Sequence, residues 1–161
     1  MGNLTTVRQG ILDILSAADP SAFVQDYEEW GIDDDPVSIL MLFQARIQNY
    51  ERAWVFKPVG ISEVTRTRGC NQVSTVFAFR MVDDIVERKT TAETWEVIAT
   101  VRQAFRDNPT LNGSCFSTKV QIGGGEADSG LQVERVDFFQ LDNRKVQYGE
   151  FTLTAHDLVA G

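Results

Sequence analysis

The single histidine, His156, stands beside Asp157 near the end of the sequence, and a histidine with a carboxylate is the residue pair that general acid–base chemistry uses. Neighbours on a strand point to opposite faces, however, which argues against direct pairing. The two cysteines, Cys70 and Cys115, lack CxxC spacing, and one histidine cannot complete a zinc site with them, so free thiols are expected. No serine or cysteine lies in a Gly-x-Ser-x-Gly or comparable activating context. The triplet Gly123-Gly124-Gly125 lacks the Lys-Ser/Thr of a phosphate loop and is followed by Glu126 and Asp128, which repel phosphate; a mobile loop over 123–130 is the expectation. Asp33-Asp34-Asp35 lacks the alternating ligands, glycine and distal Glu of a calcium loop, and Asp35 before Pro36 reads as a helix N-cap. Asp83, Asp84 and Glu87 are candidates for a divalent cation, against the simpler expectation of a solvated acidic turn ahead of a helix. Gly2 and Thr6 fit the short N-myristoylation pattern, in competition with a helix that starts at Leu4. These residues supply no catalytic set, no metal site and no cofactor site, and the expectation is a protein that is not an enzyme.

The elements that would position them follow from periodicity. Leu4, Val7, Ile11, Ile14, Leu15 and Ala18 recur at helical spacing, predicting an amphipathic helix over 4–18 that Asp19-Pro20 closes. Residues 21–35 are polar and acidic. Residues 36–52 fit either a helix through Leu40, Phe43, Ile47 and Tyr50 or a strand through Val37, Ile39, Met41 and Phe43, the N-cap favouring the helix. From Trp54 to Asp84 the pattern is β, with Val73, Thr75, Phe77, Phe79 and Met81 alternating and a turn at Arg68-Gly69-Cys70-Asn71. Each arm of that hairpin is about ten residues, or ~33 Å. The arm Ser62–Arg68 is so polar that it is expected to extend beyond the core. Thr90 and Glu93 form a capping box for a helix over 91–107, with a buried seam of Trp95, Ile98, Val101 and Phe105. Phe116, Thr118, Val120 and Ile122 predict a strand over 115–122. Residues 131–140 and 145–156 predict a closing hairpin around Asp142-Asn143-Arg144. The apolar phase slips midway in both of its arms, which predicts a bulge or a bend. The fold class is α+β, an antiparallel sheet with long β-hairpins packed against two or three helices, in a single domain over 1–161.

The chain's 161 residues suit one domain, and 43% apolar with 24% charged residues is an ordinary globular balance. No apolar run approaches the ~20 residues of a spanning helix, and no signal peptide pattern is expected. Twenty-three acids against fifteen bases give a net charge of −8. A free-standing nucleic-acid binder needs a basic stripe, and Arg66 with Arg68 is too little of one. Arginine makes up 11 of the 15 bases, which suits interfaces because arginine pairs bidentately with carboxylates. Trp30, in the acidic stretch, reads either as a partner anchor or as a plug packed under a loop.

The segments Leu4–Ala18, Ile61–Asp83, Thr91–Asp107 and Leu131–Leu158 place an N-terminal helix, a long hairpin, a capped central helix and a closing hairpin in succession. In order and size these elements resemble the lambda-type tail terminator and tail-completion proteins of tailed bacteriophages, over roughly two-thirds of the chain. The resemblance implies a virion protein of the neck or tail, assembled in the host cytoplasm as a homo-oligomeric ring, usually a hexamer. Such a ring caps the tail tube, ends its polymerisation and joins it to the head–tail connector or neck protein. DNA passes through its lumen without specific binding, and neither a cofactor nor a membrane is involved. Under that reading the interface residues are Arg66, Arg68, the loop residues Gly123, Gly124, Gly125, Glu126 and Asp128, and Trp30. The alternatives are another neck or connector component, and a small cone-like α+β ligand-binding module or enzyme resembling the nuclear-transport-factor-like fold. In that module Tyr27, Tyr50, Tyr148 and His156 are the candidates for pocket residues.

Overall fold

A computed structural model describes residues 4–26, 52–85, 91–118, 121–122, 125–126, 130–141 and 144–160. Helix α1 (Leu4–Ala18) buries Val7, Gly10, Ile11, Ile14 and Leu15 on one face, as its periodicity requires. A tight turn, in which the Ala22 amide donates to the Asp19 carbonyl at 3.1 Å, leads into strand β1 (Ala22–Asp26). Strands β2 (Arg52–Thr67) and β3 (Cys70–Ile85) pair antiparallel around Arg68-Gly69. Gly69 adopts φ +84°, a left-handed conformation that a side chain would strain. Helix α2 (Thr91–Asp107) follows, then the two-residue strands β4 (Gln121–Ile122) and β5 (Gly125–Glu126). Strands β6 (Gln132–Leu141) and β7 (Arg144–Ala160) close the chain.

The main sheet has the order β1-β2-β3-β7-β6. The fold is α+β, a five-stranded sheet packed against two helices among the described residues. The sheet is mixed rather than wholly antiparallel, because β1 runs parallel to β2 from Ala22–Arg52 to Asp26–Phe56. The polar composition of 21–35 hid this strand, whose apolar content is the short run Ala22-Phe23-Val24. Residues 36–51, with their helix-or-strand ambiguity, and the cap residue Thr90 lie outside the described residues.

Both sheet faces are buried near its centre. On the helix side, Trp54, Phe56, Phe77, Phe79, Met81, Phe151 and Leu153 meet Ile11 and Leu15 of α1 and Ile98, Val101 and Phe105 of α2. On the other side, Ala53, Val55, Ala78, Val82, Val146 and Tyr148 form a second buried cluster flanked by Phe23 and Phe139. Burial of both sides explains the unbroken run Ala53-Trp54-Val55-Phe56. Gly149 makes room inside this packing: a Cβ there would lie 2.6 Å from the Phe151 ring, which rests 5.2 Å from Trp54.

Three sequence expectations change. Trp95 is 48% exposed, and the buried seam of α2 is Thr94, Ile98, Val101 and Phe105. A polar residue occupies the first seam position because its hydroxyl has a partner, the Asp83 carboxylate. Of the strand expected over 115–122, Ser117 makes only a bridge to His156 and Phe116 is exposed, while Gln121–Ile122 form the short strand β4 and residues 119–120 lie outside the described residues. Leu111, Asn112 and Gly113 are all left-handed and fold the segment on itself, with the Thr118 amide donating to the Pro109 carbonyl at 2.7 Å. The two phase slips of the closing hairpin have different causes. In β6 a bulge between Val133 and Arg135 lets both Val133 and Val136 pack on the helix side. Strand β7 keeps unbroken register with β3, and its slip is an exchange of the buried face, from Val146 and Tyr148 to Phe151 and Leu153.

Asp83, read as part of a solvated turn, is fully buried. It faces the Arg52 guanidinium at 3.5 Å and accepts a hydrogen bond from Thr94. Arg52 Nε and Nη2 each donate at 2.7 Å to the carboxylate of Asp19, which also accepts from Trp54 Nε1 at 2.9 Å. This cluster ties the end of α1 to β2, β3 and α2. Truncation of Arg52 would leave two buried carboxylates without their cation. Arg52→Ala is therefore expected to lower the unfolding free energy by about 3–5 kcal/mol, measured as the shift of the urea midpoint.

Candidate functional site

Strand β2 changes character along its length. Its first five residues are buried and its last nine, Val59–Thr67, are exposed. Nine residues at strand rise span about 30 Å. A register shift between Pro58 and Gly60 reverses the alternation, so Ile61 joins Pro58 on the helix side although their spacing is odd. On its outer edge β1 pairs only as far as Phe56. On the far side of the sheet, β6 pairs with β7 only as far as Thr152, and Ser117 bridges at His156. Strands β2, β3 and β7 therefore continue past the helices as a three-stranded projection.

Register aligns the side chains of the projection in rows. On the helix side the rows are Pro58–Phe77–Leu153, Ile61–Thr75–Ala155 and Glu63–Val73–Asp157. The opposite side carries Ser62–Ser74–His156 and Val64–Gln72–Leu158. Pro58, Phe77, Ile61, Thr75, Val73 and Asp157 of the helix-side rows, with Leu4 and Val7 at the start of α1, line an open cavity of about 410 Å³. Its walls are apolar apart from Thr75, the Cys115 thiol and the Asp157 carboxylate. Burial, and then the Asp157 charge, push the Cys115 thiol up to about 11, so it stays protonated and unreactive at neutral pH. Cys70, at the start of β3, is also free. Of the lining residues Ile61 is 74% exposed and Leu4 is exposed too, and Val59, also exposed, lies next to Pro58 in the chain.

His156 lies on the opposite face and is buried. Its Nδ1 is 2.7 Å from Ser74 Oγ and 2.9 Å from Gln72 Nε2, while Arg66 Nε donates to Gln72 Oε1 at 2.6 Å. An amide nitrogen only donates, so Nδ1 accepts and the ring proton sits on Nε2. That Nε2 is buried without a hydrogen-bond partner among the described residues. Asp157 points to the other face, where it accepts from the Leu158 amide at 3.0 Å. Ser74 and His156 are thus in contact, with no carboxylate behind the imidazole among the described residues, and the cluster serves as a polar plug between β3, β7 and the tip of β2.

Of the residues singled out from sequence, Arg66 and Arg68 lie at the exposed end of the projection. Gly125 and Glu126 form β5, paired with β4. Trp30, Gly123, Gly124 and Asp128 lie outside the described residues, as do Tyr27, Tyr50 and Glu87. Tyr148 is fully buried and donates to Glu150 at 3.0 Å. Among the described residues no cluster of three His, Cys, Asp or Glu side chains is placed to hold a metal ion. Sequence reasoning missed the cavity, which joins residues from 4 to 159. Its one visible signal was Ile61, an apolar residue at the start of an otherwise polar arm. No protein-family model matches the chain, and no curated protein is significantly similar to it.

Burial, reinforced by Arg66, lowers the pKa of His156 from its usual 6.5. Below about pH 6.5 the unfolded chain takes up a proton at His156 that the folded chain refuses, so stability falls with acidification until the folded pKa is reached. Urea midpoints between pH 7.5 and 5.5 are expected to decline, with a shallower slope in His156→Gln.

Proposed function

We propose that this chain is a structural subunit that assembles side by side into a ring, of the kind that the resemblance to phage tail terminators implies. The observation that carries this reading is the projection. Among the described residues it is a three-stranded sheet, open along the β2 edge and lined on one side by exposed apolar residues. Exposed apolar surface beside an unpaired strand edge is unfavourable in a protein that stays alone, and it suits burial against another protein. In the ring reading, the projections make neighbour contacts while the helix-covered end of the sheet keeps the subunit rigid. The net charge of −8 suits a lumen through which DNA slides without adhering. The partners would be a tail tube protein on one side and a connector or neck protein on the other, and no cofactor would be required.

A second reading, a small-ligand module, draws on the cavity of about 410 Å³, which falls in the size range of ligand pockets. It differs in its oligomer: a monomer or dimer that binds an apolar ligand saturably. Light scattering after size exclusion, at several concentrations, separates the two. A mass near six chains is expected for the ring. A chain that stays monomeric even with tube protein present would remove it.

Ile61 tests the surface directly. Ile61→Asp is expected to raise the concentration at half-assembly at least tenfold. It should shift the thermal midpoint little, because a residue so exposed contributes little to the core.

A further inference from the structure

The tip of the projection, Val64–Gln72, carries Arg66 and Arg68 and no acid, in a chain whose net charge is −8. Arg66 bonds only Gln72 among the described residues, and Arg68 bonds nothing there. Towards the tip the apolar groove is lined by Val73, Asp157 and Val159, and Glu63 stands just outside the lining, across from Val73 on the same face, so that two carboxylates flank a valine. Glu63 accepts from Asn71 at 2.7 Å and Asp157 from its neighbouring amide, and neither meets a cation among the described residues. A basic, extended tip and an acid-rimmed apolar groove are thus present on one chain and unpaired with each other.

They cannot pair within that chain. The tip continues the same strands that floor the groove, and β2 and β3 stay paired from Arg52–Asp83 to Thr67–Cys70, through register shifts at Pro58/Gly60 and Thr65/Thr67. Folding Arg68 back onto Glu63 would break that ladder over five residues, about 16 Å. We propose that the groove receives the tip of a second copy of this chain, Arg66 and Arg68 meeting the Glu63 and Asp157 carboxylates and Val64 contributing apolar surface. The proposal rests on the ring reading and names its contact. Each copy gives a tip and accepts one, a heterologous contact that propagates head to tail and closes as a ring. A small ligand would leave Val59 and the β2 edge uncovered, whereas an incoming extended tip lies alongside that edge and can add to it as a strand. A nucleic acid is disfavoured by the acidic rim.

The test is a charge exchange. The tip variant Arg66→Glu/Arg68→Glu and the rim variant Glu63→Arg/Asp157→Arg are each expected to raise the concentration at half-assembly at least tenfold. Mixed in equal amounts, each supplies the complement of the other, and assembly is expected to return to within about threefold of the original chain. Assembly unaffected by either variant overturns the tip–groove contact and leaves the ring standing. Loss in both without recovery on mixing also overturns it. An original chain that never assembles, alone or with tube protein, removes the ring and this contact together.

A second measurement avoids dependence on the folding of the charge variants. Ile61→Cys with Cys115→Ser places a thiol in the groove opposite Thr75, five β3 residues or about 16 Å from Cys70, beyond disulfide reach within one chain. Mild oxidation is expected to give a reducible ladder of linked chains that disappears when Cys70→Ser is added. Absence of the ladder in assembled protein overturns the contact. Saturable binding of an apolar fluorescent probe that assembly fails to displace overturns it as well, and assigns the groove to a small ligand.

Discussion

A guanidinium taken out of water must keep its ionic partners, and in this protein one such group sets the rest of the structure. Arg52 is buried between Asp19, which it grips through two hydrogen bonds, and Asp83. Trp54 and Thr94 complete the two carboxylates. The charges belong to the end of α1 and to β2 and β3, and Thr94 brings in α2, so the cluster can form only when all four elements are in place. Desolvating these ions is costly, and the cost is offset only by that geometry. The cluster therefore specifies one arrangement of helices on the sheet, whatever its net contribution to stability.

From this anchored end the two kinds of element extend by different amounts. Helix α1 has 15 residues and α2 has 17, about 23–26 Å at helical rise. Strands β2 and β3 have 16 residues each, about 53 Å at strand rise. The helices span roughly half of the strands' length, and beyond them β2 is exposed from Val59 on while β3 stays half-buried between β2 and β7. What holds the uncovered half together is local: the ladder itself, and the His156 cluster that joins Ser74 and Gln72 to β7. The apolar groove lies where the covered and uncovered parts meet, bounded by the first turn of α1. The exposed apolar groove and the buried ionic cluster are thus separate regions of one sheet. A change at Ile61 touches the first, and a change at Arg52 touches the second.

The helices were legible in the sequence because their apolar residues recur with a clear period, and α1 and α2 span the expected residues. The pairing of β2 with β3 was legible from the alternation of β3 and the Arg68-Gly69 turn, and so was the bulge of β6. The face of α2 was misread by one position, since a threonine ranks below a tryptophan as a core residue until Asp83 is known to lie opposite it. The short parallel strand β1 left almost no signal. Its pairing with β2 joins residues separated by 30 positions, and a five-residue run carries too few alternations to declare itself.

The sequence by itself determined the fold class, the two amphipathic helices and the polarity of the arm that became the projection. It determined these because each is a matter of local periodicity, visible within a window of ten to twenty residues. Tertiary structure alone decided that Asp19, Arg52 and Asp83 form one buried ionic cluster, that Cys115 faces the same groove as Leu4 and Asp157, and that His156 and Asp157 serve opposite faces of the sheet. Those relations depend on the register between strands and on which helix covers which face. The long-range packing of the whole chain sets both, and no local window records either.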